Sequence, residues 1–442
     1  MSNLPFLSKI TEKVVGARLR QHMQEHSLYE PMQSAYRPGH STETALVRVT
    51  NDLLRAVDQH QVVILVLLDL SAAFDTIDHG ILLSRLQNRF GVCGQSLQWF
   101  RSYLADRVQV IHIKNTSSTQ AHLEFGVPQG SVLGPVLYIC YTVPLGDIAR
   151  RHQLQLHLCA DDTQLYLTFT PINGEAAELA VQRVQNCVAE MRSWLSQNKQ
   201  QLSDPKTEAL VICTPHGRQR VDIPHIEIGG SLITPASVVR NIGTHLDETL
   251  SMVTQVNNLC SRCYFYIRNI SRVRHLMDRR TAMTMVHAYV TSRLDGGNAV
   301  LYGLPETLIS KLQRVQNAAA RVITQTDRRE HITPVLKVLH WLPVKQRIVF
   351  KVLVLTFKAV HGLAPGYLSE LVTPYHPARS LRSSDSALLQ TPRSRLRTYG
   401  DRAFAIAAPR LWNMLPLNLR QLDSESAFRK KLKTHLFKES FE

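Results

Sequence analysis

The sequence predicts an α+β fold followed by a predominantly helical, basic C-terminal region. Val62–Leu68 is an unbroken run of Val, Ile and Leu, which is typical of a strand buried on both faces. Residues 154–158 and 165–167 alternate apolar and polar side chains on either side of a turn, so they indicate two paired strands. After Ile233 the pattern becomes helical and rich in Lys and Arg.

Helical periodicity supports the remaining elements. Residues 42–57 and 175–197 each repeat apolar positions at the spacing of one helix face. Shorter helices are predicted at 81–90 and 97–104, and a strand at 108–114. The Gly- and Pro-punctuated segment 126–135 begins as a loop, and the Ser-, Arg- and Pro-rich segment 377–397 is predicted to be a flexible interruption.

The charge distribution favours a polyanionic partner. The chain has 442 residues, enough for roughly three domains, and Lys and Arg outnumber Asp and Glu by 51 to 35. Residues 262–442 contain 30 of the basic and 12 of the acidic residues, so the front of the chain is nearly neutral and the back is basic. Nucleic acid is the favoured partner, and a merely solvated basic surface is the alternative.

The cysteine content and the hydropathy of the chain predict its cellular location. Seven cysteines at irregular spacing do not form a disulfide framework, which indicates reduced thiols and an intracellular, non-secreted protein of the nucleus or cytoplasm. No apolar run approaches the ~18 residues of a membrane span, so no membrane partner is expected.

Three carboxylates are the candidate chemical centre. Asp69 ends the buried strand, where an unpaired charge is costly unless it binds something, and Asp161 and Asp162 lie in the turn between the two alternating strands. Hard oxygen ligands suit Mg²⁺, with Mn²⁺ as a substitute. Two such ions about 4 Å apart activate a hydroxyl nucleophile and stabilise both oxygens of an in-line phosphoryl transfer.

The amino-acid sequence around these aspartates resembles that of the reverse transcriptases of vertebrate non-LTR (LINE-type) retrotransposons. The segments that carry the resemblance are LLDLSAAFD at 67–75, GVPQGSVLGP at 126–135, CADD at 159–162, QSAYRP at 33–38 and HWLPV at 340–344. The resemblance covers essentially the whole chain. It implies an RNA-directed DNA polymerase that adds dNTPs to a DNA primer on an RNA template during retrotransposition.

The resemblance also implies roles for residues at the reacting centre. Asp69 and Asp161 become the principal ligands of two Mg²⁺ ions, and Asp162 becomes an auxiliary carboxylate. Phe74 falls on the steric-gate position, where a bulky ring excludes a ribose 2′-hydroxyl; a plain core position is the alternative. Lys206 matches the lysine that protonates the pyrophosphate leaving group, and a surface lysine is the alternative.

Further positions match the segments that hold nucleotide and template. Gln129 and Gly130 correspond to the block that contacts the incoming nucleotide and the template, where glycine lets the backbone approach closely. Arg37 matches a basic residue of the fingers near the triphosphate. Residues 239–243 resemble the primer grip.

A right-hand polymerase fold with an antiparallel palm sheet follows from the same resemblance. Its predicted parts are partial fingers at 1–60, a palm with finger insertions at 61–245, a thumb-like helical region at 246–330 and a basic C-terminal region at 331–442. The last part, with the cluster Arg429, Lys430, Lys431 and Lys433, is expected to grip template RNA electrostatically.

The sequence departs from the family pattern at three places. Cys159 replaces the usual tyrosine before Ala-Asp-Asp, and Pro205 precedes Lys206 where its fixed φ could shift the lysine. Residues 2–9 look like the middle of a fingers motif, so we expect a 5′-truncated copy. A catalytically inactive relic that only binds nucleic acid is therefore the alternative function, and a polymerase of another lineage is a third.

Overall fold

The computed structural model of the chain describes residues 4–71, 73–128, 130–172, 174–219, 221–223, 225–375 and 387–442. Contacts divide the chain into two compact units. The first comprises Met1–Pro38, Ile64–Ala209 and Val221–Ala236, and the second comprises Gly39–Val63, Leu210–Arg220 and Ser237–Glu442. Each unit is built from several separate segments of the chain. These two units do not test the four-part division into fingers, palm, thumb and C-terminal region, which stays a prediction.

Elements up to Phe169 mix helices and strands. They are α1 (Phe6–Glu25), α2 (Thr42–Asp58), β1 (Val62–Leu68), β2 (Leu70–Ser71), α3 (His79–Asn88), α4 (Gly94–Leu104), β3 (Val108–Gln109), β4 (His112–Ile113), β5 (Thr116–Ser117), β6 (Ala121–His122), α5 (Gly134–Thr142), α6 (Pro144–Arg151), β7 (Gln155–Cys159) and β8 (Asp162–Phe169).

Elements after Phe169 are mainly helical beyond residue 247. They are α7 (Gly174–Gln197), β9 (Gln201–Leu202), β10 (Glu208–Ile212), α8 (Pro215–Arg218), β11 (Ile226–Ile228), β12 (Ser231–Ile233), β13 (Val238–Asn241), β14 (Thr244–Asp247), α9 (Val253–Arg272), α10 (Arg279–Val286), α11 (Ser292–Asp295), α12 (Glu306–Thr324), α13 (Ile332–Val338), α14 (Val344–Val360), α15 (Gly366–Ser369), α16 (Phe404–Met414), α17 (Leu417–Arg420) and α18 (Glu425–Phe441).

A four-stranded sheet with the order β10-β1-β8-β7 carries the three aspartates at strand ends. Strand β1 has the predicted bounds, and all but one of its residues are buried, as expected for an uninterrupted β-branched and leucine run. Strands β7 and β8 pair antiparallel with Leu156 opposite Leu165 and Cys159 opposite Asp162. The predicted pair of strands around a turn is therefore confirmed.

Predicted helices of the first unit are confirmed within a few residues. α7 presents one continuous apolar face, with Val184, Val188 and Met191 almost wholly buried. α5 is buried at every residue except Pro135, because its sequence between Gly134 and Thr142 contains no charged residue. The segment before α5 is a loop, as predicted.

One strand prediction was wrong. Residues 108–114 do not form a single strand: β3 pairs with β6 and β4 pairs with β5 in two separate two-residue ladders. All four of these short strands are exposed. The β-branched residues of this stretch predicted a strand, but Val108 and Ile113 are exposed with no core beneath them, and Lys114 turns the chain with φ 55°.

The second unit is a helical assembly. Ser41 caps α2 by accepting from the Thr44 amide, and α2 has the predicted bounds to within one residue. α9 packs along α12, and α14 packs against both α16 and α18. The ring of Phe357 on α14 stacks on Phe428 of α18 with centroids 4.5 Å apart. The helix-rich C-terminal region predicted from the sequence is confirmed, after the hairpin of β13 and β14.

The segment predicted as a flexible interruption lies partly outside the described residues, since 376–386 are not among them. Its described part is held by specific contacts. Asp58 Oδ1 accepts hydrogen bonds from the amides of Arg395 and Leu396 at 2.8 and 2.7 Å. Asn413 bonds both the amide and the carbonyl of Leu389. Among the described residues, no helix combines the length and apolar character that crossing a bilayer requires.

Candidate active site

Asp69 and Lys206 are brought together by a short ladder. Directly after Asp69, β2 pairs antiparallel with β9, and the Ser203 amide donates to the Asp69 carbonyl at 2.9 Å. The chain then makes a 3₁₀ turn, Asp204–Lys206, which Arg192 holds through an ion pair with Asp204. Pro205 is the second residue of this turn, and its missing N–H is not needed there because the first N–H groups of a helix have no acceptor within the helix. Lys206 Nζ consequently lies 2.9 Å from Asp69 Oδ2.

Asp161 lies on the tight turn between β7 and β8, and Asp162 is the first residue of β8. Because Cys159 is opposite Asp162, only Ala160 and Asp161 form the turn. Ala160 has φ 60°, a left-handed conformation that costs a non-glycine residue roughly 1–2 kcal/mol. Gln33 stabilises this turn by accepting the Ala160 amide on Oε1 at 3.2 Å. Such strain is common where side chains are held for function.

The strand end before this turn is fixed from its other side. Gln33 bridges to Leu158 in parallel fashion, with the Ser34 amide donating to the Leu158 carbonyl and the Leu158 amide donating to the Met32 carbonyl, both at 2.9 Å. Ser34 Oγ also lies 2.8 Å from Nε2 of the buried His157. The QSAYRP segment thus positions the aspartates through the backbone, a role that sequence reasoning did not assign to it.

The three carboxylates influence one another electrostatically. Burial raises the pKa of Asp162, and the charges of Asp161 and Asp69 raise it further. The contact with Asp69 raises the pKa of Lys206, with a smaller contribution from Asp161, so the ammonium stays protonated. Burial and then the same three carboxylates raise the pKa of the Tyr138 phenol well above its usual value. A cation that binds here relieves this repulsion.

The residue types of this centre fit divalent ions of the Mg²⁺ class. Asp69, Asp161 and Asp162 supply only hard oxygen donors, and Asp69 Oδ2 is buried, with Lys206 as its nearest cation. Within the described residues, no three His, Cys, Asp or Glu side chains are already gathered closely enough to hold an ion. Binding therefore requires the carboxylates to turn toward a shared ion.

Phe74 lies in an aromatic group beside the aspartates. Its ring stacks on Tyr138 with centroids 4.5 Å apart and an interplanar angle of 26°, and it meets Tyr36 edge-on at 6.5 Å. Phe74 remains partly exposed, whereas Tyr138 is fully buried. Burial raises the pKa of the Tyr36 phenol, and the neighbouring Asp161 and Cys159 raise it further. Cys159 is the residue that stands where the family usually has a tyrosine.

The loop of 126–135 contacts the Phe74 segment. The Val127 amide donates to the Phe74 carbonyl at 3.0 Å, and the Gly126 amide donates to the Ile77 carbonyl at 2.8 Å. Gly126 has φ 86°, and a Cβ there would come within 2.8 Å of the Asp75 carbonyl oxygen, so only glycine fits. Gly130 also has a left-handed φ, of 90°. Gln129 lies outside the described residues.

A buried glutamate fixes the far end of this loop. Glu12 on α1 is 1% exposed, and its Oε2 accepts the amides of Val132 and Leu133 at 2.6 and 3.1 Å. These amides precede the start of α5, where a negative charge is favoured by the helix dipole. Sequence analysis missed Glu12, because an isolated acidic residue on a surface-like helix gives no signal of burial.

The Arg37 side chain donates hydrogen bonds to backbone carbonyls of its own segment. Its Nη1 donates to the carbonyls of Glu30 at 2.8 Å and Gln33 at 3.0 Å, and its guanidinium lies 4.4 Å from the centre of the Tyr29 ring. The contacts of Arg37 thus shape the segment that supports the Ala160 turn. Its predicted place near a triphosphate stays a prediction.

A sheet with one aspartate after a buried central strand and two on the neighbouring hairpin is the organisation of a template-directed nucleic acid polymerase. The family model of reverse transcriptase (RNA-dependent DNA polymerase) matches residues 1–246, more than half of the chain. The chain belongs to the reverse transcriptase family, and its α+β polymerase fold with a helical C-terminal region is the predicted one.

Curated relatives are polymerases of insect mobile elements. The chain is 28% identical over 337 residues to a probable RNA-directed DNA polymerase from transposon BS of Drosophila melanogaster, which covers 73% of this chain and 36% of the relative. It is 24% identical to the corresponding protein of transposon X-element (73% and 35%) and 25% identical to the RNA-directed DNA polymerase from mobile element jockey (58% and 28%), both of Drosophila melanogaster. The chain spans about a third of the length of the curated relatives it matches.

Among solved structures, the chain is similar to telomerases of yeasts. Telomerase of Candida albicans matches with a TM-score of 0.37 and 14% identity, covering 77% of this chain and 54% of that one. Telomerase of Candida tropicalis matches with a TM-score of 0.40 and 10% identity, covering 76% and 54%. Similarity at this level adds nothing to the functional argument.

Proposed function

We propose that this chain is the RNA-directed DNA polymerase of a non-LTR retrotransposon and adds dNTPs to a primer 3′-hydroxyl. The observation that carries the proposal is the position of Asp69, Asp161 and Asp162 at the ends of neighbouring strands of one sheet, together with Phe74 and the segment 126–135. Family membership supplies the reaction class. The RNA template, DNA primer and intracellular location all belong to the proposal.

The three carboxylates would hold two Mg²⁺ ions, or Mn²⁺ in their place. Bound there, the ions supply activation of the primer hydroxyl and stabilisation of the charge on the transferred phosphate. Asp69 and Asp161 are the principal ligands in this proposal, and Asp162 is auxiliary. Burial raises the pKa of Asp162, and the charges of Asp161 and Asp69 raise it further; bound cations would offset that repulsion.

Other side chains of the chain do the positioning. Lys206 stays protonated beside Asp69, and in this proposal it donates that proton to the pyrophosphate leaving group once Asp69 binds metal instead. Phe74, backed by the buried Tyr138, presents a rigid ring against the sugar of the incoming nucleotide. Gly130, with Gln129 beside it in sequence, brings backbone close to the nucleotide and template, and Arg37 stabilises the segment beneath the Ala160 turn.

Primer extension on an RNA template with Mg²⁺ and dNTPs tests the proposal. Asp69→Asn and Asp161→Asn should each lower incorporation by at least about 100-fold, since they remove charge stabilisation of the transition state. Glu227→Gln, an exposed carboxylate on β11, is the matched control and should retain activity. Equal signal from the unaltered chain and Asp161→Asn would contradict the proposal, and binding without any extension would favour the inactive relic.

A further inference from the structure

The second unit contains a cavity of about 460 Å³ that the proposed polymerase chemistry does not use. Its walls come from α14, from the N-terminal half of α18, from residues 339–342 and from the stretch 287–298. Part of that stretch, His287–Thr291, is a π-helical turn. Such turns are rare and occur frequently at functional sites.

The floor of the cavity presents two unused hydrogen-bond acceptors. Asn298 is 2% exposed, and its Oδ1 has no hydrogen-bond partner within the described part of the chain. Asp295 Oδ2 accepts from Arg347 Nη1 at 2.7 Å, while its buried Oδ1 lacks any donor among the described residues. A buried acceptor without a donor destabilises the fold, so a ligand that brings N–H or O–H groups is favoured.

One wall is largely apolar and contains Trp341. Trp341 is 5% exposed and lies against the His287 ring, with ring centroids 5.6 Å apart. Leu342 and Val354 extend this surface. A planar, partly apolar group with donor atoms at its edge matches both the wall and the floor.

The rim is cationic. Arg347, Lys351, Arg429 and Lys433 line the cavity, and Asp295 is the one acidic residue among its lining residues. Lys351 pairs with Glu43 at 2.9 Å and Arg429 with Glu425 at 3.1 Å. Lys433 is exposed and has no ion pair among the described residues. Arg429 and Lys433, one helical turn apart on α18, are therefore placed to receive phosphate oxygens.

We propose that this cavity binds one unpaired nucleotide of a single nucleic acid strand. The base or sugar donates hydrogen bonds to Asn298 and Asp295, the base lies against the Trp341 side, and the flanking phosphates meet Arg429 and Lys433. The volume falls within the range of about 300–1,000 Å³ of ligand pockets. This site goes beyond the proposed polymerase centre, because none of its lining residues belongs to the first unit.

A charge-reversal pair with a matched control tests the site in the full chain. Arg429→Glu with Lys433→Glu reverses two of the four rim cations. Lys430→Glu with Lys431→Glu makes the same change in charge on exposed residues of α18 that do not line the cavity. Fluorescence anisotropy measures the Kd of a labelled 12-nucleotide RNA, the matching DNA strand and a blunt duplex. The rim pair should weaken single-strand binding at least about 10-fold more than the control pair.

Equal losses from the two pairs, or no loss from the rim pair, would overturn the proposal, as would a duplex that binds as tightly as the single strands. Comparing the RNA and DNA arms shows which strand supplies the nucleotide. Ultraviolet cross-linking of an RNA containing 4-thiouridine provides a second readout, with adducts expected on 287–298 or 339–342. Neither measurement requires catalysis, so an inactive polymerase centre would leave this test intact.

Discussion

Lys206 Nζ lies 2.9 Å from Oδ2 of Asp69, so a cation of the chain already occupies a carboxylate oxygen that a metal ion would need. The ladder of β2 and β9 fixes this pair, because it joins the backbone at Asp69 to the segment that leads into the Lys206 turn. A bound ion and Lys206 compete for the same oxygen. Lys206 therefore has two separable effects, one on metal affinity and one on proton donation.

Replacement of Lys206 should separate these effects. Lys206→Met is expected to lower the Mg²⁺ concentration at half-maximal rate, because Asp69 loses its competing ammonium, and to lower the maximal rate by about 10²-fold through loss of the general acid. Single-nucleotide incorporation across a Mg²⁺ titration measures both quantities. Lys13→Met, on the exposed side of α1, is the control. An unchanged maximal rate would show that Lys206 is only a surface lysine.

Gln33 should be essential to the turn that carries Asp161. Gln33→Met keeps the side-chain volume but removes the acceptor of the Ala160 amide and the Ala35 amide, so we expect unfolding to become easier by about 1–3 kcal/mol. Urea denaturation measures the change, with the exposed Gln59→Met as control. If Gln33→Met matched the control in both stability and incorporation, Gln33 would have no part in holding the turn.

Several of these features could be predicted from the sequence, and the reasons are local. The apolar run of β1 and the alternating residues on either side of Ala160 predict which positions are buried. The strand ends, and with them the three aspartates, were therefore predicted correctly. Residues 108–114 are also rich in Val and Ile, but they have no core beneath them, and the sequence alone does not show this. The β-propensity of Val108 and Ile113 was therefore misleading.

Contacts between distant segments could not be predicted in the same way. The pairings of Gln33 with Ala160 and of Glu12 with Val132 join residues more than 100 positions apart. The spacing of apolar residues along the sequence does not predict which buried polar side chain will accept a hydrogen bond from which backbone amide. The resemblance to reverse transcriptases identified Lys206 and Phe74, but it did not give Tyr138 as the support of the Phe74 ring.

Phe74 should determine the sugar preference. Phe74→Val removes the ring that stacks on Tyr138, so the ratio of kcat/KM for a dNTP to that for the matching rNTP should fall by at least about 10-fold. Phe125→Val, an exposed aromatic residue before the 126–135 loop, serves as the comparison. An unchanged ratio with lowered stability would assign Phe74 to the core alone.

Asp247 should make the second unit sensitive to acid. Burial raises the pKa of its carboxyl, but hydrogen bonds from Ser251, Thr249 and Met252 outweigh burial and lower it overall. Because the folded-state pKa is below the unfolded value of about 3.9, the carboxylate stabilises the fold above that pH, and its contribution is lost as pH falls through the folded pKa.

Asp247→Asn should therefore be less stable than the unaltered chain at pH 7, with the difference shrinking below about pH 4. Thermal unfolding across pH measures this dependence, and the exposed Asp423→Asn is the control. A difference that stays constant down to pH 2 would mean that the charge of Asp247 plays no part.

Mn²⁺ titration followed by electron paramagnetic resonance measures directly whether the three aspartates bind metal ions. In the presence of primer, RNA template and a non-hydrolysable dNTP analogue, the unaltered chain is predicted to bind two Mn²⁺ ions, and Asp69→Asn with Asp161→Asn is predicted to bind neither at the same concentrations. Identical Mn²⁺ binding by the two proteins would contradict the assignment of Asp69, Asp161 and Asp162 as the polymerase metal site.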